Sequence, residues 1–348
     1  MWMSDKSIDR LIEDIYANEE LAHHRVATER SLLQYASVLD KRPTLEAADK
    51  FLERDMPTVP YLIAPFFPMG GNALIYGKRG VGKTMYLLEL ARCVALGEPF
   101  LGYRTAKGPV VILELDMTEN VFHERLRKAG DRYRIPDLHV LTGVADIMKA
   151  GIDTNWVEDI NAIQPVLIII DTLRRAITDS INDNQTSQKY YHKLRDLFGM
   201  TSTVTIHHDR KDSRDAPDQV QDEAFSGGGG WMDDADLGIH LIKDRKSVIH
   251  MHFSKLRTCG DEDVIDNMPL VIDNSRMAVR IKEEGLSSTE LARIQARKFL
   301  GGNSSATKKD LYHHLQEVSE LSKGSISKIA REFFPAEDAR KSISLTDT

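Results

Sequence analysis

One short stretch of the sequence, residues 77–85, has the residue types and the spacing to hold a polyphosphate. Glycines in such a loop let successive backbone N–H groups point at phosphate oxygens, and the helix that follows adds the positive end of its dipole. The ammonium of Lys83 would serve the β and γ oxygens, and the hydroxyl of Thr84 suits Mg²⁺. The candidate binding residues are Gly77, Lys78, Arg79, Gly80, Val81, Gly82, Lys83, Thr84 and Met85.

The flanks of this loop are those that a phosphate loop needs. An apolar run over 73–76 leads into it, and residues 85–91 leave it with helical periodicity. The alternative is a glycine turn that binds nothing. It is less compatible with the sequence, because such a turn would need neither the preceding strand nor the following helix. The order strand, loop, helix therefore predicts a nucleotide site at the end of a buried strand.

Two further buried-type strands end in carboxylates. Residues 108–115 carry Glu114 and lead to Asp116, and alternation places both acids on one side of the strand. A carboxylate near a γ-phosphate can orient the attacking water, so both acids are candidates for that role. The alternative is a helix cap at Asp116 and a solvated Glu114.

The second of these strands, over 165–170, leads directly to Asp171. This acid is placed to hold Mg²⁺ together with Thr84.

A third strand, over 201–206, is followed by His207 and His208. Neighbouring residues on a strand point to opposite faces, so one of these histidines can face the nucleotide and sense its γ-phosphate. The alternative is a satisfied imidazole at a sheet edge. The long, charged loop that follows is typical of a segment that a ligand orders.

Short alternating strands are predicted beyond residue 235, and a pair of cations lies among them. Lys255 and Arg257 are two positions apart at the end of a strand. They therefore share a face and could contact one phosphate together. A solvated charge pair is the alternative.

Composition limits the class of protein. The chain has 348 residues and a net charge of −7, which argues against a broad basic surface that coats nucleic acid but permits a narrow basic channel. Its two cysteines, Cys93 and Cys259, are too far apart for a metal motif, and reduced thiols are expected. No apolar run approaches the ~20 residues that a bilayer requires. We expect a cytoplasmic protein that contacts no membrane.

The chain divides into three predicted parts. Residues 1–57 form a helical N-terminal segment, 58–284 form the α/β core, and 285–348 form a small C-terminal helical domain. Three short capped helices in the last part suggest a helix-turn-helix or winged-helix module. Lys323, Lys328 and Arg331 would be available for phosphates there. Because glutamates dilute this positive charge, a protein-docking domain fits equally well.

Taken in order, these motifs resemble the RecA-like hexameric ATPases over about 58–283. The likeness is closest to the RepA-type replicative helicases of plasmids and phages, and more distant to the DnaB helicases. It implies an α/β, P-loop NTPase core with a mostly parallel sheet that binds ATP and Mg²⁺. Residues 77–84 match the Walker A motif and Asp171 the Walker B acid.

The same resemblance implies roles for the remaining candidates. Asp116 stands where the family has its catalytic glutamate, and this departure leaves Glu114 as an alternative. His208 takes the γ-phosphate-sensing position. Lys255 and Arg257 resemble the finger that such rings insert into the adjacent subunit's site.

The resemblance also implies a homo-oligomeric ring, expected to be a hexamer, with single-stranded DNA in its central channel. Loops 173–185 and 209–226 would face that channel, and the C-terminal domain could dock replication proteins. The cations that would supply local positive charge to the channel are Arg174, Arg175, Arg210, Lys211 and Arg214.

Two functions compete on this basis. The first is an ATP-driven motor on single-stranded DNA, a replicative helicase of a plasmid, phage or integrated element. The second is a nucleotide-dependent loader or regulatory ATPase that unwinds nothing. A small-molecule kinase is less compatible, because a finger supplied in trans serves a ring better than a monomer.

Overall fold

The computed structural model describes residues 45–55, 59–181, 183–209, 230–274, 276–303 and 305–334. Most of the predicted N-terminal helical segment lies outside these residues, and a short helix, α1 (Ala48–Leu52), is the part of it that falls within them. The predicted channel loop beyond residue 209, with Arg210, Lys211 and Arg214, also lies outside them, as do residues 335–348.

A nine-stranded sheet forms the centre of the molecule. Six neighbouring strands are parallel, and the last three strands of the chain continue the sheet as an antiparallel meander. In space the order is β11-β10-β9-β8-β3-β7-β6-β4-β5. The predicted α/β class with a mostly parallel sheet is confirmed. The strands are β3 (Asn72–Gly77), β4 (Val110–Glu114), β5 (Leu138–Thr142), β6 (Leu167–Asp171), β7 (Ser202–His208), β8 (Leu237–Lys243), β9 (Ile249–Leu256), β10 (Met268–Asp273) and β11 (Ala278–Ile281).

Both faces of the sheet are covered, as central parallel strands require. Along β3, Ala73 and Ile75 point into one core, while Leu74 and Tyr76 point into the other. A separate hairpin of β1 (Tyr61–Ile63) and β2 (Phe67–Pro68) packs against the first core. The helices of the α/β part are α2 (Lys83–Leu96), α3 (Glu119–Lys128), α4 (Asn155–Ile163), α5 (Leu173–Ala176), α6 (Asn184–Phe198) and α7 (Gly230–Asp234).

The helix α2 and the pair α4 and α6 lie on opposite faces of the sheet. Leu87 and Val94 of α2 belong to the first core, whereas Val157 of α4 and Leu194 of α6 belong to the second. Cys93 of α2 is buried in the first core, as expected of a core thiol. This arrangement fixes the carboxyl ends of the parallel strands and the start of α2 at one edge of the sheet.

Three helices form the C-terminal module: α8 (Ser288–Gly302), α9 (Lys308–Val318) and α10 (Lys323–Phe333). Each starts after a hydroxyl residue, Ser287, Thr307 or Ser322, whose oxygen accepts a backbone N–H three residues later. They enclose a small core of their own. Within 286–303 and 305–334 the chain forms no strand, so this part agrees with a helix-turn-helix and contains no β wing.

Arg297 joins this module to the α/β part. Its guanidinium lies over the ring of Tyr103, 4.7 Å from the centroid, and 5.4 Å from that of Phe333. Its Nη2 donates a hydrogen bond to the Asp263 carbonyl oxygen at 2.8 Å. The module is therefore packed against the core through a half-buried cation. Within the described ranges, no helix has the length and apolar character needed to cross a bilayer.

Candidate functional site

The phosphate loop lies at the carboxyl end of β3, and its glycines are needed for two different reasons. A Cβ on Gly77 would lie 2.4 Å from the Leu241 carbonyl oxygen, so the backbone of β8 excludes a side chain there. Gly80 and Gly82 have φ values of 76° and 110°, which favour glycine. The predicted loop conformation is therefore one that this sequence can adopt without strain.

The other loop residues differ in their surroundings. Val81 is buried beneath the loop, whereas Lys78 and Arg79 are exposed on its outer side. Thr84 and Met85 are half-buried in the first turn of α2. Among these residues, the side chains that can reach a ligand directly are thus those of the exposed Lys78 and Arg79 and the half-buried Thr84 and Met85.

Lys83 begins α2 and is only 5% exposed. Its Nζ donates hydrogen bonds to the carbonyl oxygens of Gly77, at 2.7 Å, and Lys78, at 3.0 Å. Burial lowers the pKa of Lys83 to about 8, although the charges of Asp209 and Asp171 oppose this shift. The loop thus holds an ammonium on neutral carbonyl groups, which leaves its charge available for an anion.

The two predicted metal ligands lie together. The Thr84 hydroxyl donates a hydrogen bond to Oδ2 of Asp171, the last residue of β6, at 2.8 Å. Burial raises the pKa of Asp171 to about 6, although the Thr84 hydrogen bond favours its ionised form. A hydroxyl and a carboxylate oxygen at this spacing form a donor set that suits Mg²⁺.

Glu114, the last residue of β4, lies beside Asp171 in the sheet register and is fully buried. Its Oε1 accepts hydrogen bonds from the backbone N–H groups of Asp116, at 3.0 Å, and Met117, at 2.9 Å. Burial, together with the charge of Asp171, raises the pKa of Glu114 to about 7. The solvated Glu114 that the sequence left open is therefore wrong, because the strand carries this side chain into the interior.

Asp116 lies outside the strand, on the turn that Glu114 holds. Its side chain is 47% exposed, and its Oδ1 is 3.3 Å from Nε of Arg175 on α5. Its charge adds to the rise that burial causes in the pKa of Asp171 and opposes the fall that burial causes in the pKa of His208, so it acts on the site. The N-cap of α3 is Thr118, so the capping alternative for Asp116 is wrong. Glu114 and Asp116 thus have different positions, one beneath the site and one at its opening.

The strand β7 extends two residues beyond its predicted end because it pairs with β3 as far as Gly77 and His208. Burial, and the charges of Lys83 and Arg79, lower the pKa of His208 to about 4. Its Nδ1 is buried without a hydrogen-bond partner in the described parts of the chain, which disagrees with a satisfied imidazole. His207 pairs with Tyr76 and is buried. The histidine beside the phosphate loop is therefore His208.

Sequence reasoning missed the pair Asp209 and His240. The Asp209 N–H donates a hydrogen bond to the Gly77 carbonyl oxygen at 3.3 Å, and its Oδ2 is 3.2 Å from Nε2 of His240. The His240 ring stacks on Tyr76 of β3 at 4.3 Å. The family resemblance places residue 209 in a channel loop. An acid directly after the sensing strand was the available indication that it belongs to the nucleotide site instead.

The predicted finger lies at the other edge of the sheet. The antiparallel pairing of β8 with β9 places Lys255 and Arg257 beside the start of β8, whereas the phosphate loop follows the end of β3. The six residues of β3 separate these two edges by about 17 Å. The finger therefore cannot reach the loop of its own chain.

Both finger residues have partners within the chain. Lys255 Nζ donates to the carbonyl oxygens of Met232, at 2.8 Å, and Asp233, at 2.5 Å. Arg257 Nη1 donates to Asp236 Oδ1 at 2.7 Å, and its side chain is 52% exposed. The two cations share a face, as predicted, where Arg257 forms an ion pair with Asp236 and Lys255 is held by backbone carbonyl oxygens.

The predicted channel loop 173–185 is partly helical. Leu173 and Ala176 are buried, which fixes α5 as one helical turn, and α6 begins at Asn184. Arg174 and Arg175 are exposed on α5, directly after the strand that ends in Asp171. Two of the predicted channel cations are therefore held close to the metal ligands.

The residues at the carboxyl edge fit a nucleoside triphosphate with Mg²⁺. Three buried polar atoms next to the loop have no partner among the residues described: Glu114 Oε2, His208 Nδ1 and Asp209 Oδ1. Buried polar atoms normally have partners, and those that do not often mark a site for water, an ion or a ligand. Lys83 offers the phosphate charge, and Thr84 with Asp171 offers the oxygen donors.

Comparisons with known proteins give likenesses in fold. A crystal structure of a KaiC-like protein from the hyperthermophilic archaeon Pyrococcus horikoshii OT3 has a TM-score of 0.44 and 17% identity, over 64% of this chain and 93% of that chain. A solved structure of the ATPase domain of a second protein has a TM-score of 0.44 and 14% identity, over 61% of this chain and 85% of that chain. No curated protein sequence matches.

A family comparison assigns the chain. The model described as AAA domain matches residues 37–214, just over half of the sequence, from within the N-terminal segment to a point shortly beyond β7. This range includes the phosphate loop, both candidate acids, Asp171 and His208. The protein belongs to the AAA domain family and has the P-loop ATPase core that its sequence predicts.

Proposed function

We propose that this chain is an ATP-hydrolysing motor that forms a ring on single-stranded DNA, and that it acts as a replicative helicase of a plasmid, phage or integrated element. The observation that supports this proposal best is the separation of the phosphate loop from the Lys255 and Arg257 pair. The two lie at opposite edges of one sheet, about 17 Å apart at ~3.3 Å per residue of β3. A head-to-tail neighbour is the simplest source of the missing cations.

Each residue has a distinct role in this proposal. Lys83 and the loop N–H groups hold the phosphates, and Thr84 and Asp171 hold Mg²⁺, which neutralises phosphate charge when bound. Asp116 orients the attacking water, and Glu114 fixes the turn that carries it. Arg257 and Lys255 of the next subunit stabilise the charge that develops on the transferred phosphate.

His208 and Asp209 would report the state of the phosphates. Both lie at the end of β7 beside Gly77, and each carries a buried polar atom without a partner in the described ranges. A γ-phosphate near Lys83 would alter the electrostatic environment of both side chains. The predicted DNA loop begins directly after them, so a change at this point is well placed to reach it.

The exposed arginines of α5 support a nucleic-acid channel. Arg174 and Arg175 follow Asp171 within four residues, so a phosphate backbone that contacts them would lie near the nucleotide. Local cations of this kind can attract single-stranded DNA even though the chain is acidic overall.

A mixed-subunit assay tests the ring and the finger together. Lys83→Ala and Arg257→Ala should each be inactive alone, but their mixture should regain activity, because some interfaces combine an intact loop with an intact finger. Random mixing in equal amounts restores about a quarter of the sites in a closed heterologous ring. Mixing Lys83→Ala with a chain that carries both substitutions is the control and should restore nothing.

The result would be decisive in either direction. Recovery of ATPase activity that rises with the proportion of mixed interfaces supports a finger in trans. Full activity of Arg257→Ala on its own, or no recovery in a mixture shown to co-assemble, would refute it.

The competing function is a loader or regulatory ATPase without unwinding activity. The observation that favours it is that Arg175, one of the two described channel arginines, is already paired with Asp116. A forked duplex distinguishes the two functions, because a helicase displaces its strand in an ATP-dependent manner. ATPase stimulation by single-stranded DNA without strand displacement would favour the loader.

A further inference from the structure

The helix α10 has one buried stripe and one strongly cationic stripe. Ile326, Ile329 and Ala330 are buried in the core of the C-terminal module. At about 100° per residue, a neighbouring arc of about 140° carries five residues without an acid or a large apolar side chain among them, and Glu332, which pairs with Arg293, lies about 40° beyond its Lys328 side. These are Lys323, Gly324, Ser327, Lys328 and Arg331.

The charge of the module differs from that of the chain. Residues 286–334 contain eight Lys or Arg and five Asp or Glu, whereas the whole chain has a net charge of −7. Three of these acids are engaged locally: Glu290 caps Ser287, Asp310 caps Thr307, and Glu332 forms a two-point ion pair with Arg293. The ion pair cancels the charges of Glu332 and Arg293, whereas the two capping carboxylates keep their charge, so the module has a modest net charge of +3.

The remaining two acids limit the cationic surface on one side. Glu317 lies in the last turn of α9, Glu320 lies in the turn that precedes α10, and both are exposed. Glu320 is three residues before Lys323, so it is the acid with the strongest expected effect on that end of the arc.

The connection between α9 and α10 has the form of a helix-turn-helix. A four-residue turn, 319–322, joins the two helices, and Leu311 and Leu315 of α9 pack with Ile326 and Ile329 of α10. The second helix of such a motif enters the major groove of DNA. An α-helix with its side chains is about 10–12 Å in diameter, which suits a major groove about 12 Å wide, and the 11 residues of α10 give about 16 Å of helix to lie along it.

We propose that the cationic arc of α10 is a binding site for double-stranded DNA, separate from the nucleotide site and from any single-strand channel. Lys323, Lys328 and Arg331 supply phosphate contacts, while the small residues Gly324 and Ser327 allow the helix backbone to approach the groove. A protein partner is disfavoured, because the arc lacks the aromatic or aliphatic anchor on which protein interfaces depend. The proposal does not rest on the proposed helicase activity.

A binding titration with the full chain tests this site. A fluorescein-labelled duplex of about 20 to 30 base pairs is titrated without nucleotide, and anisotropy is read at several salt concentrations. We expect Lys323→Gln with Lys328→Gln to weaken duplex binding about tenfold and to reduce the slope of log K against log salt by about two. Glu320→Gln should strengthen binding about twofold, because it removes a repulsive charge.

A matched control carries the same loss of charge elsewhere. Lys128 and Lys189 are exposed on helices of the α/β part, so Lys128→Gln with Lys189→Gln should leave duplex affinity unchanged. ATP hydrolysis stimulated by single-stranded DNA is measured in parallel and should be unchanged in the α10 double variant. This second readout distinguishes the α10 site from the channel.

Several outcomes would overturn the proposal. The intact chain could fail to bind duplex at low salt, or the α10 and control variants could lose affinity equally. The α10 variant could also lose single-strand stimulation together with duplex binding, which would place α10 in the channel. A twofold or weaker effect of the α10 substitutions would likewise leave no role for this arc in DNA binding.

Discussion

The two edges of the parallel sheet hold their charges in opposite ways. At the carboxyl edge, Lys83, Glu114 and Asp171 are at most 5% exposed, and neighbouring buried polar atoms lack partners within the described residues. At the amino edge, Arg257 is half exposed and, like Lys255, bonds to neighbours in its own chain. Folding alone therefore places the buried charged groups of the carboxyl edge where a ligand can bind. The second consists of surface pairs that contribute little to stability and can exchange partners readily.

The largest expected effect is at the carboxyl edge. Lys83→Ala should lower ATP hydrolysis at least about a thousandfold, because the loop loses its only buried cation among the described loop residues and the phosphates lose a preorganised charge. Steady-state phosphate release measures this. Lys128→Ala, which changes an exposed side chain at the last residue of α3, is the control and should cost less than about fivefold. Comparable losses in both variants would contradict the role of Lys83.

Next in size is the amino edge. Arg257→Ala should reduce hydrolysis about a hundredfold or more in the assembled state, while nucleotide affinity changes less than about twofold, because this side chain is remote from its own loop. Fluorescent nucleotide binding and phosphate release give the two numbers. Arg280→Ala on β11, also exposed, should change neither. Reduced affinity with normal turnover would remove the finger assignment.

The two candidate acids should differ in effect. Asp116→Asn should lower kcat about a hundredfold, because an amide is a poor acceptor for the proton of the attacking water. Glu114→Gln should cost about tenfold, because the amide oxygen can still accept the N–H groups of Asp116 and Met117. The kcat values of the two variants at saturating ATP show which acid orients the attacking water. The reverse order would assign the water to Glu114.

A pH series tests how folding holds Glu114. Its pKa is raised from 4.5 to about 7, so the neutral form is favoured in the folded state and stability falls as pH rises from about 4.5 through 7. Without nucleotide or Mg²⁺, Glu114→Gln should therefore gain about 2 kcal/mol relative to wild type between pH 5 and pH 8. Urea unfolding at both pH values measures this. A constant difference across the series would contradict the buried charge.

The smallest expected effect concerns the pair of Asp116 and Arg175. Because an exposed ion pair is worth about 1 kcal/mol or less, Arg175→Ala should raise basal hydrolysis by at most about fivefold as Asp116 becomes free. Stimulation by single-stranded DNA should fall at the same time. Arg174→Ala, the neighbouring exposed arginine, should reduce stimulation without raising the basal rate.

Much of the carboxyl edge could be predicted because its motifs are local. The phosphate loop and Asp171 follow from short runs whose period and composition indicate strands and turns, and so does the Lys255 and Arg257 pair at the amino edge. The roles given to them stay predictions until they are measured. The α/β class followed from the same runs, because a strand that is apolar throughout must be buried on both faces.

The remainder depends on contacts between distant parts of the chain. Alternation alone treated Glu114 and Asp116 alike, but β4 ends at Glu114, so that one acid is buried and the other exposed. Likewise, β7 reaches His208 because it pairs with β3, and Asp209 finds His240 on a strand 31 residues later. A short sequence pattern predicts neither which strands pair nor which side chains that pairing buries.

The half-buried guanidinium of Arg297 gives the molecule a stiff joint. It contacts the rings of both Tyr103 in the α/β part and Phe333 at the end of α10, so the last helix is attached to the α/β part by cation–π contacts as well as by the chain. Any rotation of the ATPase part would then turn α10 with it. A duplex bound to that helix, as proposed above, would therefore keep a fixed orientation relative to the nucleotide site.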